Sequence, residues 1–129
     1  MKVQELRIGN LIFYHSNFTE ETRVKVVDLI TFSLLLGSHE EFKESYLPIP
    51  LTEEWLIKLG FEHYNQLGYN IKNNNFEIDI WFDDNGTIND IQLSSTNISG
   101  AYPNIKNFQY LHQIQNLYFT LTGEELKLK

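Results

Sequence analysis

The apolar residues near the C-terminus recur at helical spacing. The segment that ends at Gly123 is the longest without a helix breaker, and its apolar side chains repeat at intervals of three and four residues, which places them on one stripe of an α-helix. Gly123 stands where a helix favours a left-handed C′ residue, a conformation that glycine adopts without a Cβ penalty. The pattern therefore predicts a core helix over residues 105–123. The stripe consists of Leu111, Ile114, Leu117, Tyr118 and Leu121.

Alternating apolar and polar positions predict a β region in the first third of the chain, over residues 1–47. The pair Gly9-Asn10 interrupts its first strand, which indicates a bulge or a tight bend. Residues 31–36 are β-branched and leucine-rich, which suits a third strand that ends at Gly37. Residues 38–45 are charged and fit either a loop or one helical turn. The expected strands are residues 6–14, 23–29 and 31–36.

The middle of the chain predicts one short helix. Pro48 and Pro50 do not fit inside a helix or a central strand, so we expect the helix to begin after them, with Thr52 as its N-cap. Two glutamates then occupy the first turn, where carboxylates complement the helix dipole. Gly60 ends the helix, and Phe61 is expected to fold back on it. Its buried stripe consists of Trp55, Leu56 and Leu59.

Residues 62–93 carry the clearest two-residue alternation, which predicts a β-meander. The strand Phe76-Glu77-Ile78-Asp79-Ile80-Trp81-Phe82 should turn its phenylalanine and isoleucine side chains to the core. The residues Asp83-Asp84-Asn85-Gly86 tolerate positive φ and predict a hairpin before the chain returns. We also expect a short strand at residues 69–71, a loop at 94–104 and an edge strand at 124–129.

These elements predict an α+β fold in a single domain over residues 1–129. The expected architecture is a small antiparallel β-sheet or partial barrel of about six strands, packed on the long C-terminal helix and on one short central helix. A chain of 129 residues is long enough to bury most of its apolar surface. The segments are the N-terminal β region (1–47), the short helix (48–61), the β-meander (62–93) and the core helix (105–123).

Charge and composition narrow the range of partners. The formal net charge is −7, and the 10 Lys and Arg residues are scattered, which argues against duplex nucleic acid because phosphate binding needs clustered cations. The chain has no cysteine, which excludes disulfides, thiolate zinc sites and cysteine nucleophiles. The N-terminus lacks the apolar core of a signal peptide, and the apolar run 34–36 is too short for a bilayer. We therefore expect a cytoplasmic protein with no membrane partner.

Trp81 is an unusual residue for the outward face of a strand, which it shares with Glu77, Asp79 and Asp83. An exposed indole beside carboxylates suits a ring that stacks on the indole and donates N–H groups to the acids. The other interpretation is that a second element, such as the loop 94–104, covers this face, because large aromatic side chains are usually buried. The candidate ligand-binding residues of this region are Trp81, Asp79 and Tyr69.

The core helix also carries an uncharged, amide-rich strip. Amides present a donor and an acceptor together, so the strip suits a polar partner, a second copy of the chain or the edge of a nucleotide. Alternatively, it hydrogen-bonds buried backbone of the N-terminal sheet, because buried polar groups are normally paired. His112 fits a hydrogen-bonded structural histidine better than a catalytic base. The strip consists of Gln109, His112, Gln113 and Asn116, all candidate binding residues.

The sequence carries no catalytic or metal-binding signature. It contains no HExxH, no Gly-x-Ser-x-Gly and no phosphate-binding glycine loop. Residues 83–86 resemble part of a calcium loop, but Trp81 stands at the first ligand position and Gln92 replaces the bidentate glutamate, so a hairpin turn is the better interpretation. We therefore expect no catalytic residue, no metal site and no cofactor.

Three segments carry a family resemblance. One lies near the C-terminus, Tyr110-Leu111-His112-Gln113-Ile114-Gln115-Asn116-Leu117-Tyr118-Phe119 with Leu121-Thr122-Gly123-Glu124-Glu125-Leu126, and the other two are Glu5-Leu6-Arg7-Ile8-Gly9-Asn10 and Ile49-Pro50-Leu51-Thr52-Glu53-Glu54-Trp55-Leu56. They resemble a group of short uncharacterised proteins encoded by bacteria and their phages. The resemblance implies a phage or mobile-element setting in a bacterial host, and it assigns no catalytic residue.

These observations predict a non-enzymatic accessory binding protein of a phage or mobile element, with counter-defence as a possible role. Such a protein either sequesters a small nucleotide-type signal, which needs a pocket holding Trp81 and suits a homo-oligomer, or engages a host protein, which needs an apolar surface patch. The alternatives are a small virion structural component, which assembles into a ring, and a metal- or carboxylate-dependent hydrolase, which needs two acids in one cleft.

Overall fold

The computed structural model describes residues 5–37, 45–73, 75–95 and 108–128. The chain separates into two compact units, an N-terminal unit of Met1–Pro50 with Tyr110–Leu117 and a C-terminal unit of Leu51–Gln109 with Tyr118–Lys129. The elements within the described ranges are β1 (Leu11–His15), β2 (Thr22–Val26), α1 (Leu29–Leu36), β3 (Tyr46–Leu47), α2 (Glu53–Lys58), β4 (Glu62–His63), β5 (Gly68–Lys72), β6 (Phe76–Phe82), β7 (Ile88–Ser95) and α3 (Leu111–Thr122).

The N-terminal unit contains a three-stranded antiparallel sheet with the order β2-β1-β3. Phe13 of β1 pairs with Val24 of β2 and with Leu47 of β3. The opposite face of the sheet contributes to a core cluster, because successive side chains of a strand point to opposite sides. The cluster consists of Leu6, Ile12, Val27, Leu35 and Tyr46, with Tyr14 and Phe32 packed against it.

The third strand predicted at residues 31–36 is wrong, because these residues belong to helix α1. Asp28 is the N-cap of this helix, and its Oδ1 accepts a hydrogen bond of 2.7 Å from the backbone N–H of Thr31. The same hydrogen bond holds the pKa of Asp28 below its usual value. A cap of this kind stabilises a helix by about 0.5–2 kcal/mol, and leucine itself is a good helix former.

The first strand is shorter than the sequence predicts. The chain turns before β1, where Gly9 has a φ of +101° and the N–H of Asn10 donates to the carbonyl of Arg7 at 3.0 Å. The interruption at Gly9 is therefore a tight bend, one of the two forms that the sequence allowed. Residues 6–8 precede the sheet, and the strand begins at Leu11.

The C-terminal unit contains a four-stranded antiparallel sheet with the order β4-β5-β6-β7, which confirms the predicted meander. The predicted hairpin joins β6 to β7. Its Asp83 carboxylate accepts hydrogen bonds of 2.9 Å from the backbone N–H groups of Asn85 and Thr87. The side chains of β6 that are buried on the core face are Ile78, Ile80 and Phe82.

Helix α2 begins and ends where the sequence predicts. The Thr52 hydroxyl is its N-cap and accepts a hydrogen bond of 3.4 Å from the backbone N–H of Trp55. The chain then folds back, because the N–H of Phe61 donates to the carbonyl of Leu56 at 2.9 Å. Phe61 and Leu56 are both buried, so this helix end contributes to the core of the C-terminal unit.

Helix α3 confirms the helix predicted near the C-terminus, although it begins later, at Leu111. The Gln113 side chain supports this start, since its Oε1 accepts a hydrogen bond of 3.0 Å from the backbone N–H of Tyr110. Gly123 follows the helix with a φ of +74°, the left-handed conformation that the sequence predicts. Residues 105–107 of the expected helix lie outside the described residues.

The edge strand predicted at residues 124–129 is wrong for residues 124–128, which form no strand. The Thr122 hydroxyl accepts a hydrogen bond of 3.0 Å from the backbone N–H of Glu124, so the chain bends at the end of α3. Leu126 is buried. The tail thus contributes an apolar side chain rather than a strand.

The described residues form the α+β fold that the sequence predicts, as two small sheets with a C-terminal helix, and they close no barrel. No helix in the described part of the chain is long and apolar enough to cross a bilayer. The single domain over residues 1–129 stays a prediction. The segments 38–44 and 96–104, for which a loop or helical turn and a loop were expected, lie outside the described residues.

We expect the Ile114→Ala variant to lose about 2–5 kcal/mol of unfolding free energy, because it removes a large side chain from a fully buried position of α3. Urea unfolding followed by circular dichroism measures this loss. The exposed Thr120 of the same helix provides the matched control, since Thr120→Ala removes no buried group. Equal stability of the two variants would contradict the position of the buried stripe.

Candidate ligand-binding site

Alternation along β6 gives the sheet of the C-terminal unit a buried face and a polar face. Glu77, Asp79 and Trp81 alternate with the buried side chains of β6, and the antiparallel register places residues of β5 and β7 beside them. Directly opposite residues of an antiparallel pair share a face of the sheet. The polar face, so defined, consists of Glu62, Gly68, Asn70, Lys72, Glu77, Asp79, Trp81, Asp90, Gln92 and Ser94.

A hollow of about 720 Å³ lies at one end of the polar face, and we call it the Trp81 hollow. The Trp81 indole is half-buried there, and the Tyr64 ring meets it edge-on, with ring centroids 6.2 Å apart and planes at 79°. Among the described lining residues, amides and one carboxylate surround the indole, and no lysine or arginine is present. The aromatic and polar lining residues are Asn65, Gln66, Trp81, Phe82, Asn89, Asp90 and Gln92.

Gly68 shapes the Trp81 hollow. It pairs with Trp81 across β5 and β6, and a Cβ built on it would lie 2.8 Å from Asn65 Oδ1, 2.9 Å from Tyr64 Cζ and 3.0 Å from Trp81 Nε1. Any side chain at this position would therefore displace its neighbours. Gly68 was not among the predicted site residues, although a glycine inside a strand often marks a close approach of this kind.

Asp90 is the one carboxylate residue among the described residues that line the Trp81 hollow. It pairs with Trp81 across β6 and β7, and its Oδ2 accepts a hydrogen bond of 3.2 Å from Gln92 Nε2. Its Oδ1 is shielded from solvent, and no described residue supplies a hydrogen bond to it. Asp90 was not among the predicted site residues, because it lies opposite Trp81 only through a register shift between Trp81 and Phe82, which the predicted hairpin did not include.

Asp79 and Glu77 continue the polar face away from the Trp81 hollow. Burial, reinforced by the negative charge of Glu77, raises the pKa of Asp79. Glu77 is already engaged, because its Oε1 accepts a hydrogen bond of 2.7 Å from Asn70 Nδ2 and lies 3.7 Å from Lys72 Nζ. Lys72 also lines a second hollow, of about 560 Å³.

Tyr69 does not share the face of Trp81 and Asp79. It pairs with Ile80 of β6 and is buried. Its ring stacks on His63 with centroids 4.8 Å apart and meets the edge of Phe82 at 5.8 Å. The structure therefore brings Trp81 and Asp79 together and places Tyr69 on the opposite side of the sheet.

Asn116 binds the N-terminal segment within the N-terminal unit. Its Nδ2 donates to the carbonyl of Glu5 at 2.7 Å. Its Oδ1 accepts hydrogen bonds from Asn10 Nδ2 at 2.7 Å and from Arg7 Nε at 3.2 Å. These contacts support the structural interpretation of the amide strip, in which its side chains hold the segment before β1.

Gln115 makes a buried contact of the same kind, which the sequence analysis missed. Its Oε1 accepts a hydrogen bond of 2.8 Å from the backbone N–H of Leu11, and its side chain is 1% exposed. Helical spacing contained the signal, because residue 115 lies one turn after the buried Leu111, on the same face of α3. Gln113 supports the start of α3 as described above, and Gln109 is an exposed residue of the C-terminal unit.

His112 is fully buried in the N-terminal unit and its ring nitrogens find no hydrogen-bond partner among the described residues. Its Nε2 lies 3.6 Å from Glu5 Oε2, which is an ion-pair distance rather than a hydrogen bond. The ring stacks on Tyr110 with centroids 5.8 Å apart. Burial lowers the pKa of His112, and the nearby Glu5 carboxylate opposes this shift only in part.

No protein-family model matches the chain, and comparisons with curated proteins and with solved structures gave no significant match. Within the described residues, no group of three or more His, Asp or Glu side chains is placed to hold a metal ion.

We expect the stability of the protein to fall on acidification because of His112. Its pKa in the folded state lies below the ordinary value of 6.5, so the unfolded chain binds the proton more readily. The contribution of His112 is fully present above pH 6.5 and is lost as the pH falls toward the lowered value. Urea unfolding at a series of pH values measures this slope. The His112→Gln variant should show a flatter slope, and identical slopes would assign the effect to other groups.

We expect the Gly68→Ala variant to move the Trp81 indole, because the new Cβ collides with Trp81, Tyr64 and Asn65. The chain has 2 tryptophans, so a Trp55→Phe background leaves Trp81 as the fluorescent reporter. Gly68→Ala in that background should shift the emission maximum and cost about 1–3 kcal/mol of stability, as overpacking does. Asp84→Ala at the exposed hairpin tip is the control. An unchanged emission maximum would contradict the close approach at Gly68.

Proposed function

We propose that this protein is a non-enzymatic binding protein that sequesters a small nucleotide-type ligand in the Trp81 hollow. The observation that carries the proposal is the position of Trp81, which lines a hollow together with convergent amide and carboxylate groups. Ligand sites typically combine an apolar or aromatic surface with a few polar groups that fix orientation, in a volume of roughly 300–1,000 Å³. The volume of the Trp81 hollow lies within this range, and its lining combines the Trp81 indole with amide and carboxylate groups.

A planar base fits this arrangement because it offers the indole a stacking surface. Stacking of a base on an aromatic side chain is worth about 1–3 kcal/mol. The amides of Asn65, Gln66 and Gln92 supply donors and acceptors for the base edge. Since no cation lines the described part of the hollow, we assign it to the base and place any phosphate outside it.

The polar face supports binding better than catalysis. Acid–base catalysis needs two titratable groups that face one cleft with matched pKa values. Asp79 has a raised pKa, but its neighbour Glu77 is held by Asn70 and Lys72. Neither acid is among the described residues that line the two hollows of the polar face.

The resemblance described above supports a phage or mobile-element setting. Sequestering a nucleotide signal of the bacterial host is a counter-defence activity in such a setting. It requires tight binding without turnover, which suits a protein with a stacking platform and no catalytic pair. The role in the cytoplasm of the host and a homo-oligomeric state are parts of the same proposal.

Engagement of a host protein is the second candidate, and one observation in the N-terminal unit favours it. The row of Val24, Phe13 and Leu47 crosses the three-stranded sheet, and its ends are 40% and 46% exposed. Exposed apolar surface of this kind marks interaction sites when it is large and contiguous. Native mass spectrometry of protein purified from its host distinguishes the two candidates, because a retained small molecule supports sequestration and a bare chain supports a protein partner.

We expect the Trp81→Ala variant to lose the retained small molecule. Loss of about 1–3 kcal/mol of stacking corresponds to a roughly 5- to 150-fold weaker affinity. Trp55→Ala is the matched control, since Trp55 belongs to α2 and contacts Lys58 rather than lining the Trp81 hollow. Circular dichroism should show that both variants fold. Equal retention by Trp81→Ala and the native protein would overturn the assignment of the ligand to this hollow.

A further inference from the structure

Three aspartates are the immediate neighbours of Trp81 in the C-terminal unit. Asp79 and Asp83 stand two residues before and two residues after it, which places their Cα atoms about 7 Å from that of Trp81 in an extended chain. The chain is still paired at Asp83, whose N–H donates to the carbonyl of Thr87 at 2.8 Å. Asp90 is the direct partner of Trp81 across β6 and β7, at a Cα separation of about 5 Å.

No cation of the polar face offsets these charges near the indole. Among the described residues that form this face, the cationic one is Lys72. It stands four residues from Gly68, the partner of Trp81, which is about 13 Å along β5. Its Nζ also lies 3.7 Å from Glu77 Oε1, so a carboxylate already matches its charge. The end of the polar face that holds the Trp81 hollow is therefore negatively charged.

Charge acts on a ligand in the Trp81 hollow without direct contact. Asp79 and Asp83 are not among the described lining residues, but both lie within the distance over which charges interact, since the Debye length is about 8 Å at physiological ionic strength. The indole adds an attraction of the same sign, because the face of a tryptophan ring attracts cations more strongly than any other side-chain ring. A cation over Trp81 is thus favoured twice.

A positively charged base satisfies both the indole and the carboxylates. Methylation of adenine at N1, or of cytosine at N3, leaves a flat ring that carries a positive charge at neutral pH. Methylation of adenine at its amino nitrogen, or of cytosine at C5, gives an isomer of the same composition that stays neutral. Both isomers of each pair can stack on the indole, and only the first also gains from the surrounding negative charge.

We propose that the Trp81 hollow selects a positively charged, ring-methylated base over a neutral one. This inference rests on the proposed function and names the ligand class of the same hollow. The Trp81 indole supplies the stacking surface, and the three aspartates supply the compensating charge. The selection requires no hydrogen bond to a carboxylate oxygen, because it depends on the charge of the aspartates and not on access to their oxygens.

Titration of the full chain with two isomer pairs tests the inference. The pairs are 1-methyladenosine with N6-methyladenosine, and 3-methylcytidine with 5-methylcytidine. We expect the cationic isomer of a pair to bind roughly 10-fold more tightly at an ionic strength of about 0.01 M, where the Debye length is about 30 Å. The ratio should fall toward one at about 1 M, where the Debye length is about 3 Å. Fluorescence of Trp81 in the Trp55→Phe background and isothermal titration calorimetry both measure these affinities.

The Asp79→Asn variant is the matched perturbation, because it removes one negative charge with little change of size. It should lower the ratio between the two isomers by at least roughly 2-fold at low ionic strength. Asp79→Glu keeps the charge and should keep the ratio. If Asp79→Asn fails to fold, the dependence of the ratio on ionic strength in the native chain still tests the same charges.

The outcomes separate this inference from the function on which it rests. Equal affinities within each pair, all lost in Trp81→Ala, would overturn the selection by charge and leave the binding function standing. A preference for the cationic isomers that is the same at both ionic strengths and in Asp79→Asn would overturn the role of the carboxylates. Failure of the native chain to bind any of the four nucleosides would overturn the inference, whereas a different small molecule retained from the host would still support sequestration.

Discussion

The two-residue alternation of β6 is the constraint on which the candidate site depends. Successive side chains of a strand point to opposite faces. Burial of Ile78, Ile80 and Phe82 on one face of β6 therefore holds Trp81 on the other face, away from the core. A slip of one residue in the register would exchange both faces, so burial of the apolar side chains determines where the indole stands. The Asp83 turn then joins β6 to β7, and a register shift between Trp81 and Phe82 places Asp90 opposite Trp81.

The parts of the fold that could be predicted from the sequence are those with signals contained in a few neighbouring residues. The alternation of β6, the hairpin at Asp83 and the helix that ends at Gly123 each carry such a signal. Helix α1 could not be predicted from its pattern, because its leucine-rich segment suits a strand equally well, and the structure adds a cap at Asp28 that stabilises the helix. Gln115 was missed for the opposite reason, since its role depends on the backbone of Leu11, far away in the sequence.

The residues of the candidate site also differ in whether a local sequence signal predicts them. Trp81 and Asp79 could be grouped from the sequence, because they alternate within one strand. Gly68 and Asp90 join them through cross-strand pairing, which a pattern within one segment does not specify. Tyr69 shows the same limit. The sequence predicted that its strand precedes β6 in the meander, but the side of the sheet on which Tyr69 lies depends on the register. The residues around Trp81 thus come from three strands, and the sequence pattern predicted the site residues of only one of them, β6.

The N-terminal unit is assembled from both ends of the chain, since it combines Met1–Pro50 with Tyr110–Leu117. A ribosome releases the N-terminus first, so the strands of this unit emerge long before the helix residues that bind them. Until then the backbone N–H of Leu11 lacks its hydrogen-bond acceptor Gln115, and the side chain of Asn10 lacks its acceptor Asn116. The sheet that is synthesised first therefore gains its helix contacts late, and a nascent chain that stops before residue 115 exposes an unfinished sheet to the protein quality control of the cell.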